Sequence, residues 1–212
     1  MIVIIDYQMG NIKNVHHALN HLGYRVKISD KPEVIKKASG LILPGVGAFR
    51  DAVKVLKEKR LDKVIKEMVK KGKPFLGICL GMQLIFSYSE ENGIYQGLGL
   101  IPGKVVRFPE QFRVPHLGWN QVHYRFKDLE KDKVLFSGIE NDSYFYFLHS
   151  FYCIPDEEDT VLTRTDYQQL FVSSIRKENV FGVQFHPEKS SSQGLNLLKN
   201  FGEMCIADYS GD

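Results

Sequence analysis

Apolar residues fall into two alternating patterns through the first half of the chain. Ile2 to Ile5 is a continuous apolar run, as expected of a strand buried on both faces. After a loop from Asp6 to Gly10, Ile12, Val15, Ala18, Leu19 and Leu22 recur at the spacing of one helix face, and Gly23 supplies a C-terminal stop. Arg25 to Ile28 and Leu41 to Leu43 predict the second and third strands, the third closed by Pro44-Gly45-Val46-Gly47. The Lys-rich stretch from Ala48 to Lys71 carries Val53, Leu56, Leu61, Val64, Ile65 and Met68, an amphipathic helical pattern that Gly72 ends. Pro74 to Ile78 predicts the fourth strand, and Leu80 onward another helix. Strands alternating with helices in short cycles imply a parallel sheet covered on both faces.

From about Gly103 the pattern becomes strand-rich: Lys104 to Phe108, Tyr144 to Tyr152, Val161 to Arg164, Phe171 to Arg176 and Val180 to Phe185. A helix from Leu195 to Met204 closes the chain. With no internal repeat or low-complexity linker, the expectation is one α/β domain over residues 1–212, an open, mainly parallel sheet with added antiparallel strands.

One segment carries candidate chemistry. Gly77-Ile78-Cys79-Leu80-Gly81 joins a buried strand to a helix, the thiol counterpart of the G-x-S-x-G nucleophile elbow. A sharp turn of this kind crowds the positions two before and two after the nucleophile, so glycine is needed at both. The turn projects Cys79 from the C-terminal edge of the sheet, where open α/β sheets bind ligands. The N–H of Leu80 lies at a helix N-terminus, oriented to stabilise an oxyanion. A cysteine after an apolar strand also reads as a small buried hydrophobe, which is the reading given to Cys153 and Cys205.

A nucleophilic cysteine needs a base from elsewhere in the chain. Of seven histidines, His186 ends the predicted strand Val180 to Phe185 and is followed by Pro187 and Glu188. Glu188 can reach the same side as His186 and hold its tautomer and orientation, the third role in a triad. Alone, His-Pro-Glu also reads as a surface turn. His16, His17 and His21 lie on the first helix and read as solvated.

Composition narrows the classes. The chain has 212 residues, 43% hydrophobic and 25% charged, with a net charge of +3. Its lysines are mixed with glutamates, and no basic stripe with interleaved aromatics points to nucleic acid. The three cysteines are odd in number and none pairs at metal-ligand or CxxC spacing, which fits a reducing cytoplasm and implies no metal. The apolar start is too short for a membrane span and lacks the basic flank of a signal peptide.

Together, Pro44-Gly45-Val46-Gly47, Gly77-Ile78-Cys79-Leu80-Gly81-Met82-Gln83 and Phe185-His186-Pro187-Glu188-Lys189-Ser190 resemble the triad-type (class I) glutamine amidotransferases over nearly the whole chain. A finer likeness lies in Asp6-Tyr7-Gln8-Met9-Gly10-Asn11, Val114 to Asn120 and Phe147 to Tyr152, which resemble the glutaminase subunits of imidazole glycerol phosphate synthases. Gln8 departs from the small residue common in relatives. The resemblance implies a flavodoxin-like α/β core, L-glutamine as substrate, no cofactor, and a separate (β/α)8-barrel cyclase partner that uses the ammonia. It also implies roles: Cys79, His186 and Glu188 catalytic; Val46, Gly47 and Leu80 at the oxyanion; Gly45, Gln83, Glu91, His149, Ser150 and Phe151 on the glutamine; Asn11, Trp119, Tyr146 and Lys189 against the partner. The alternatives are a paralogous subunit feeding another synthase, a non-catalytic binding protein on the same fold, and a cysteine hydrolase outside the amidotransferases.

Overall fold

The computed structural model describes residues 1–126 and 133–207. The first half alternates as the hydrophobic pattern predicts: β1 (Ile2–Ile5), α1 (Ile12–His21), β2 (Val26–Ser29), α2 (Pro32–Ile35), β3 (Gly40–Gly45), α3 (Phe49–Glu58), α4 (Leu61–Lys70), β4 (Phe75–Cys79) and α5 (Leu80–Ile85). There follow β5 (Phe86–Ser89), β6 (Tyr95–Gln96), β7 (Ile101–Arg107), β8 (His116–Gln121) and β9 (His123–Tyr124). The last described elements are β10 (Tyr144–His149), β11 (Phe151–Pro155), β12 (Val161–Asp166), β13 (Leu170–Lys177), β14 (Val180–Val183) and α6 (Ser191–Ala207).

The main sheet runs β2-β1-β3-β4-β14-β13-β11-β7-β5-β6, with β12 and β9 attached beside β13. Its core is parallel: β1 pairs with β2 and β3, and β4 with β3 and β14. Successive side chains of a strand face opposite sides, so two cores form. Val3, Ile5, Leu41 and Leu43 meet α3, α4 and α5 on one face, and Ile2, Ile4 and Ile42 meet Val15, Leu19, Leu197 and Phe201 on the other. The insertion of β14 beside β4 matters most for function. Val183 aligns with Ile78, so the segment leaving β14 emerges next to the turn leaving β4.

Three local differences from the hydrophobic reading have physical causes. The stretch 48–71 is two helices, broken at Arg60 in the left-handed region (φ 57°). The apolar step from Leu56 to Leu61 is five residues, which rotates the stripe by roughly 140° on a continuous helix. The helix after Cys79 stops at Ile85, because Phe86-Ser87-Tyr88-Ser89 alternates with a period of two and joins the sheet. The run Tyr144 to Tyr152 divides at Ser150. β10 pairs with β8 in a separate two-stranded ribbon, whereas β11 pairs with β7 and β13 in the main sheet.

Candidate active site

The turn after β4 is built by close approach. A Cβ on Gly77 would lie 2.5 Å from the Gly81 carbonyl, and one on Gly81 would collide with the Leu43 carbonyl of β3. Glycine at both positions lets the chain reverse, and Cys79 takes φ 55°, ψ −111°, a conformation that L residues rarely adopt. The thiol is 4% exposed and opens onto a cleft. Sγ lies 3.7 Å from the Leu148 carbonyl and 3.7 Å from Gln184 Nε2, which donates to it. Leu80 is the first residue of α5, so its N–H has no acceptor within the helix.

His186 arrives from the neighbouring strand. Its N–H donates to the Tyr146 carbonyl at 2.8 Å, and Pro187 opens a short turn that returns Glu188 to the ring. Glu188 Oε1 is 2.9 Å from His186 Nδ1, with side-chain exposures of 1% and 2%. The carboxylate can only accept, so Nδ1 carries the proton and Nε2 is left for the thiol. Burial alone would push the imidazole pKa down; the negative charge of Cys79 nearby, then the charge and hydrogen bond of Glu188, outweigh it and raise the ring above 6.5. Among the described residues, however, Nε2 has no partner in aligned hydrogen-bond geometry. The thiol is near enough to act on the ring electrostatically but is turned toward Leu148.

The cleft beside the thiol is lined by Val46, Gly47, Leu80, Gln83, Glu91, Pro115 and the segment Leu148 to Phe151. Val46 is 41% exposed at its mouth, and Gly47 takes φ 105°. Glu91 is held by the N–H of Phe49, the first residue of α3, at 2.8 Å from Oε2. Gln83 donates to the Phe151 carbonyl at 3.1 Å and to Gln184 Oε1 at 3.2 Å. Gly45 lies beneath the cleft, where a Cβ would strike the Tyr7 hydroxyl and approach Leu80.

Trp119 and Tyr146 sit opposite each other in the β8–β10 ribbon, ring centroids 6.1 Å apart, with Lys189 Nζ 5.5 Å over the Tyr146 ring. Asn11 starts α1, which packs against the 187–189 turn. Leu117, Trp119 and Tyr144 leave the outer ribbon face apolar and exposed.

Three residues without a sequence-derived role join the site. Gln184 is fully buried between Gln83 and the thiol, and its signal was a polar residue inside the apolar run Val183-Gln184-Phe185. Tyr7 is buried, its hydroxyl unpartnered among the described residues; burial and the charge of Cys79 push its pKa up. His116, in the segment Val114 to Asn120, hydrogen-bonds His149.

The sequence model of the class-I glutamine amidotransferases matches residues 3–205. A strained cysteine elbow, a carboxylate-held histidine and a cleft beside them are thus found in a chain that belongs to this family of glutamine amidotransferase enzymes. Within it, an imidazole glycerol phosphate synthase subunit HisH from Moorella thermoacetica is 52% identical over 96% of this chain and 94% of its own. Its namesake from Aquifex aeolicus is 47% identical, covering 94% of each chain. A solved glutamine amidotransferase shares the fold with a TM-score of 0.74 at 19% identity, covering 97% of this chain and all (100%) of that one. The PurLQS structure from Thermotoga maritima does so with a TM-score of 0.72 at 17% identity, covering 97% of both. Among the described residues, no helix is long and apolar enough to cross a membrane.

Proposed function

We propose that this chain is the glutaminase subunit of an imidazole glycerol phosphate synthase. As one cytoplasmic domain, it hydrolyses L-glutamine for histidine biosynthesis and passes ammonia to a separate (β/α)8-barrel cyclase that forms imidazole glycerol phosphate. The observation that carries the chemistry is His186, held at Nδ1 by Glu188 at 2.9 Å with Nε2 left for Cys79. Cys79 gives its thiol proton to His186 Nε2, and Sγ attacks the side-chain carbonyl carbon of glutamine, forming the C–S bond while the carbonyl electrons move to oxygen. Backbone N–H groups of Leu80 and of the Val46–Gly47 loop stabilise that oxyanion. Collapse breaks the C–N bond as His186 Nε2 gives its proton to the departing ammonia. Water, deprotonated by His186, then cleaves the glutamyl thioester and returns the thiol.

Gly45, Gln83, Glu91, His149, Ser150 and Phe151 position the amino-acid end of the substrate, several of them through backbone or through each other. Glu91 supplies negative charge for the ammonium group. Asn11, Trp119, Tyr146 and Lys189 meet the cyclase. Glycine beside Val46 lets a peptide of that loop rotate to complete the oxyanion site once the partner is loaded.

The test is a glutaminase assay of the chain alone, with the histidine-pathway cyclase, and with the cyclase plus its nucleotide ligand. Turnover should be highest in the loaded complex. Cys79→Ser should abolish glutamine-dependent synthesis, by about 10,000-fold or more, while synthesis from added ammonia continues. Full glutaminase activity in that variant would sink the mechanism, and stimulation only by a different synthase would reassign the partner.

A further inference from the structure

Asn120, His116 and His149 form a line of hydrogen bonds whose direction is fixed from the end that has no choice. His149 Nδ1 lies 2.8 Å from the Phe151 carbonyl, which can only accept, so Nδ1 carries a proton. Nε2 of that neutral ring is then an acceptor, and His116 Nδ1 at 3.1 Å must donate to it. His116 Nε2 is left as an acceptor, and Asn120 Nδ2 stands 3.3 Å away. The Asn120 amide is oriented independently. Its Oδ1 accepts from Gln121 N at 2.8 Å, and its Nδ2 donates to the Asp166 carbonyl at 2.8 Å.

Every ring nitrogen thus has one partner of the matching kind, and a second proton on His149 would set two donors face to face. Burial agrees with this geometry, pushing His116 down to about 4 and His149 down to about 3. The His116 ring is also clamped, stacked on Phe147 at 4.8 Å and on Tyr167 at 4.0 Å. This line ends at the Phe151 carbonyl, which also accepts from Gln83; Gln83 in turn donates to Gln184, and Gln184 to the thiol of Cys79. Its other end, Asn120, directly follows Trp119 on β8 and points to the opposite face of the ribbon.

We propose that Asn120 and His116, acting through His149, are positioning residues that fix the Phe151 carbonyl and the Gln83 wall of the glutamine pocket from the strand that carries Trp119. The inference rests on the glutamine reading of that pocket. Three bonds of 3.3, 3.1 and 2.8 Å thus tie β8 to the pocket wall, and each has a fixed donor and acceptor.

Two variants test the relay in the complex with the cyclase. His116→Phe keeps an aromatic plane between Phe147 and Tyr167 and removes both bonds. Asn120→Asp keeps the shape, sets an acceptor against the His116 lone pair, and at every pH loses the bond to the Asp166 carbonyl, so only its pH-dependent part reports on His116. Each should raise the KM for glutamine about tenfold, the effect of one or two lost buried hydrogen bonds, with a smaller change in kcat. Asn120→Asp carries a further signature. A second proton on His116 restores its bonds to residue 120 and to His149, so the KM should fall part of the way back as the pH is lowered from about 8 to about 6, while that of His116→Phe does not. The titratable groups facing the pair are His116 and His149 themselves, Tyr167 stacked on His116, and His186 beyond His149. Melting temperatures report whether the variants fold. A KM for glutamine within twofold of the unmodified value in both folded variants overturns the relay. The unmodified chain separates the two ideas: absence of glutamine turnover by its complex defeats the functional reading and the relay together, whereas normal turnover with unmoved KM in the variants defeats the relay alone.

Discussion

Two imidazoles of the candidate site are almost equally hidden, His186 at 2% exposure and His149 at 6%, yet their protonation is pulled in opposite directions. Burial acts on both with the same sign, favouring the neutral ring. His149 meets a carbonyl, another neutral ring and, at a distance, His186, so burial prevails and it stays neutral. His186 meets Glu188 and Cys79, two groups able to carry negative charge, and they outweigh burial. Depth in the protein therefore does not assign a histidine its role; the charge within bonding distance does. In the proposed mechanism one ring moves a proton and the other holds a wall still.

The largest break in this comparison is removal of the sulfur. Charge at Cys79 is the strongest influence raising His186, so Cys79→Ala should lower the His186 pKa, read by NMR titration of the ring, and leave His149 neutral. A His186 titration that does not move would contradict the account of its protonation. A smaller effect is expected of Glu188→Gln. It removes the other raising partner and the acceptor that fixes the tautomer, so glutaminase kcat should fall about 1,000- to 10,000-fold, as for other triad orienters. A loss below tenfold would relegate Glu188 to the fold.

The smallest effect is on stability in acid. His116 and His149 have folded pKa values below 6.5, so on acidification the unfolded chain takes up protons that the native rings refuse. Their neutral burial is without penalty above about pH 6.5, and stability is lost as the pH falls toward about 4. His186 has the opposite sign: its contribution is complete below 6.5 and lost as pH rises through its raised value. His116→Phe should show a shallower loss of urea-unfolding free energy between pH 6.5 and about 4 than the unmodified chain. Parallel slopes would mean that His116 is not held neutral by its surroundings.

The legible parts of this molecule are those whose physics is local. Gly77 and Gly81 announce the turn because two nearby residues must approach each other, and the His186-Pro187-Glu188 spacing announces a carboxylate within reach of a ring. The parallel core follows from alternating apolar runs and helical stripes. What the sequence hides depends on which strand lies beside which. The tightest constraint on Gly81 is the Leu43 carbonyl of β3, and Gln184 reaches the thiol only because β14 inserts next to β4. Tyr7 lies in the resembling segment Asp6 to Asn11, but nothing local places its hydroxyl beneath Gly45. The run Tyr144 to Tyr152 looks like one strand because both halves alternate, and only pairing partners divide it.

That division at Ser150 has a mechanical consequence. A single residue separates the last position of the ribbon, His149, from the first position of the large sheet at this seam, Phe151. A joint so short has no slack. On one side of it His149 belongs to the ribbon, and on the other Phe151 opens β11, which is anchored between β7 and β13. A tilt of the ribbon would therefore act as torque on the seam that lines the cleft.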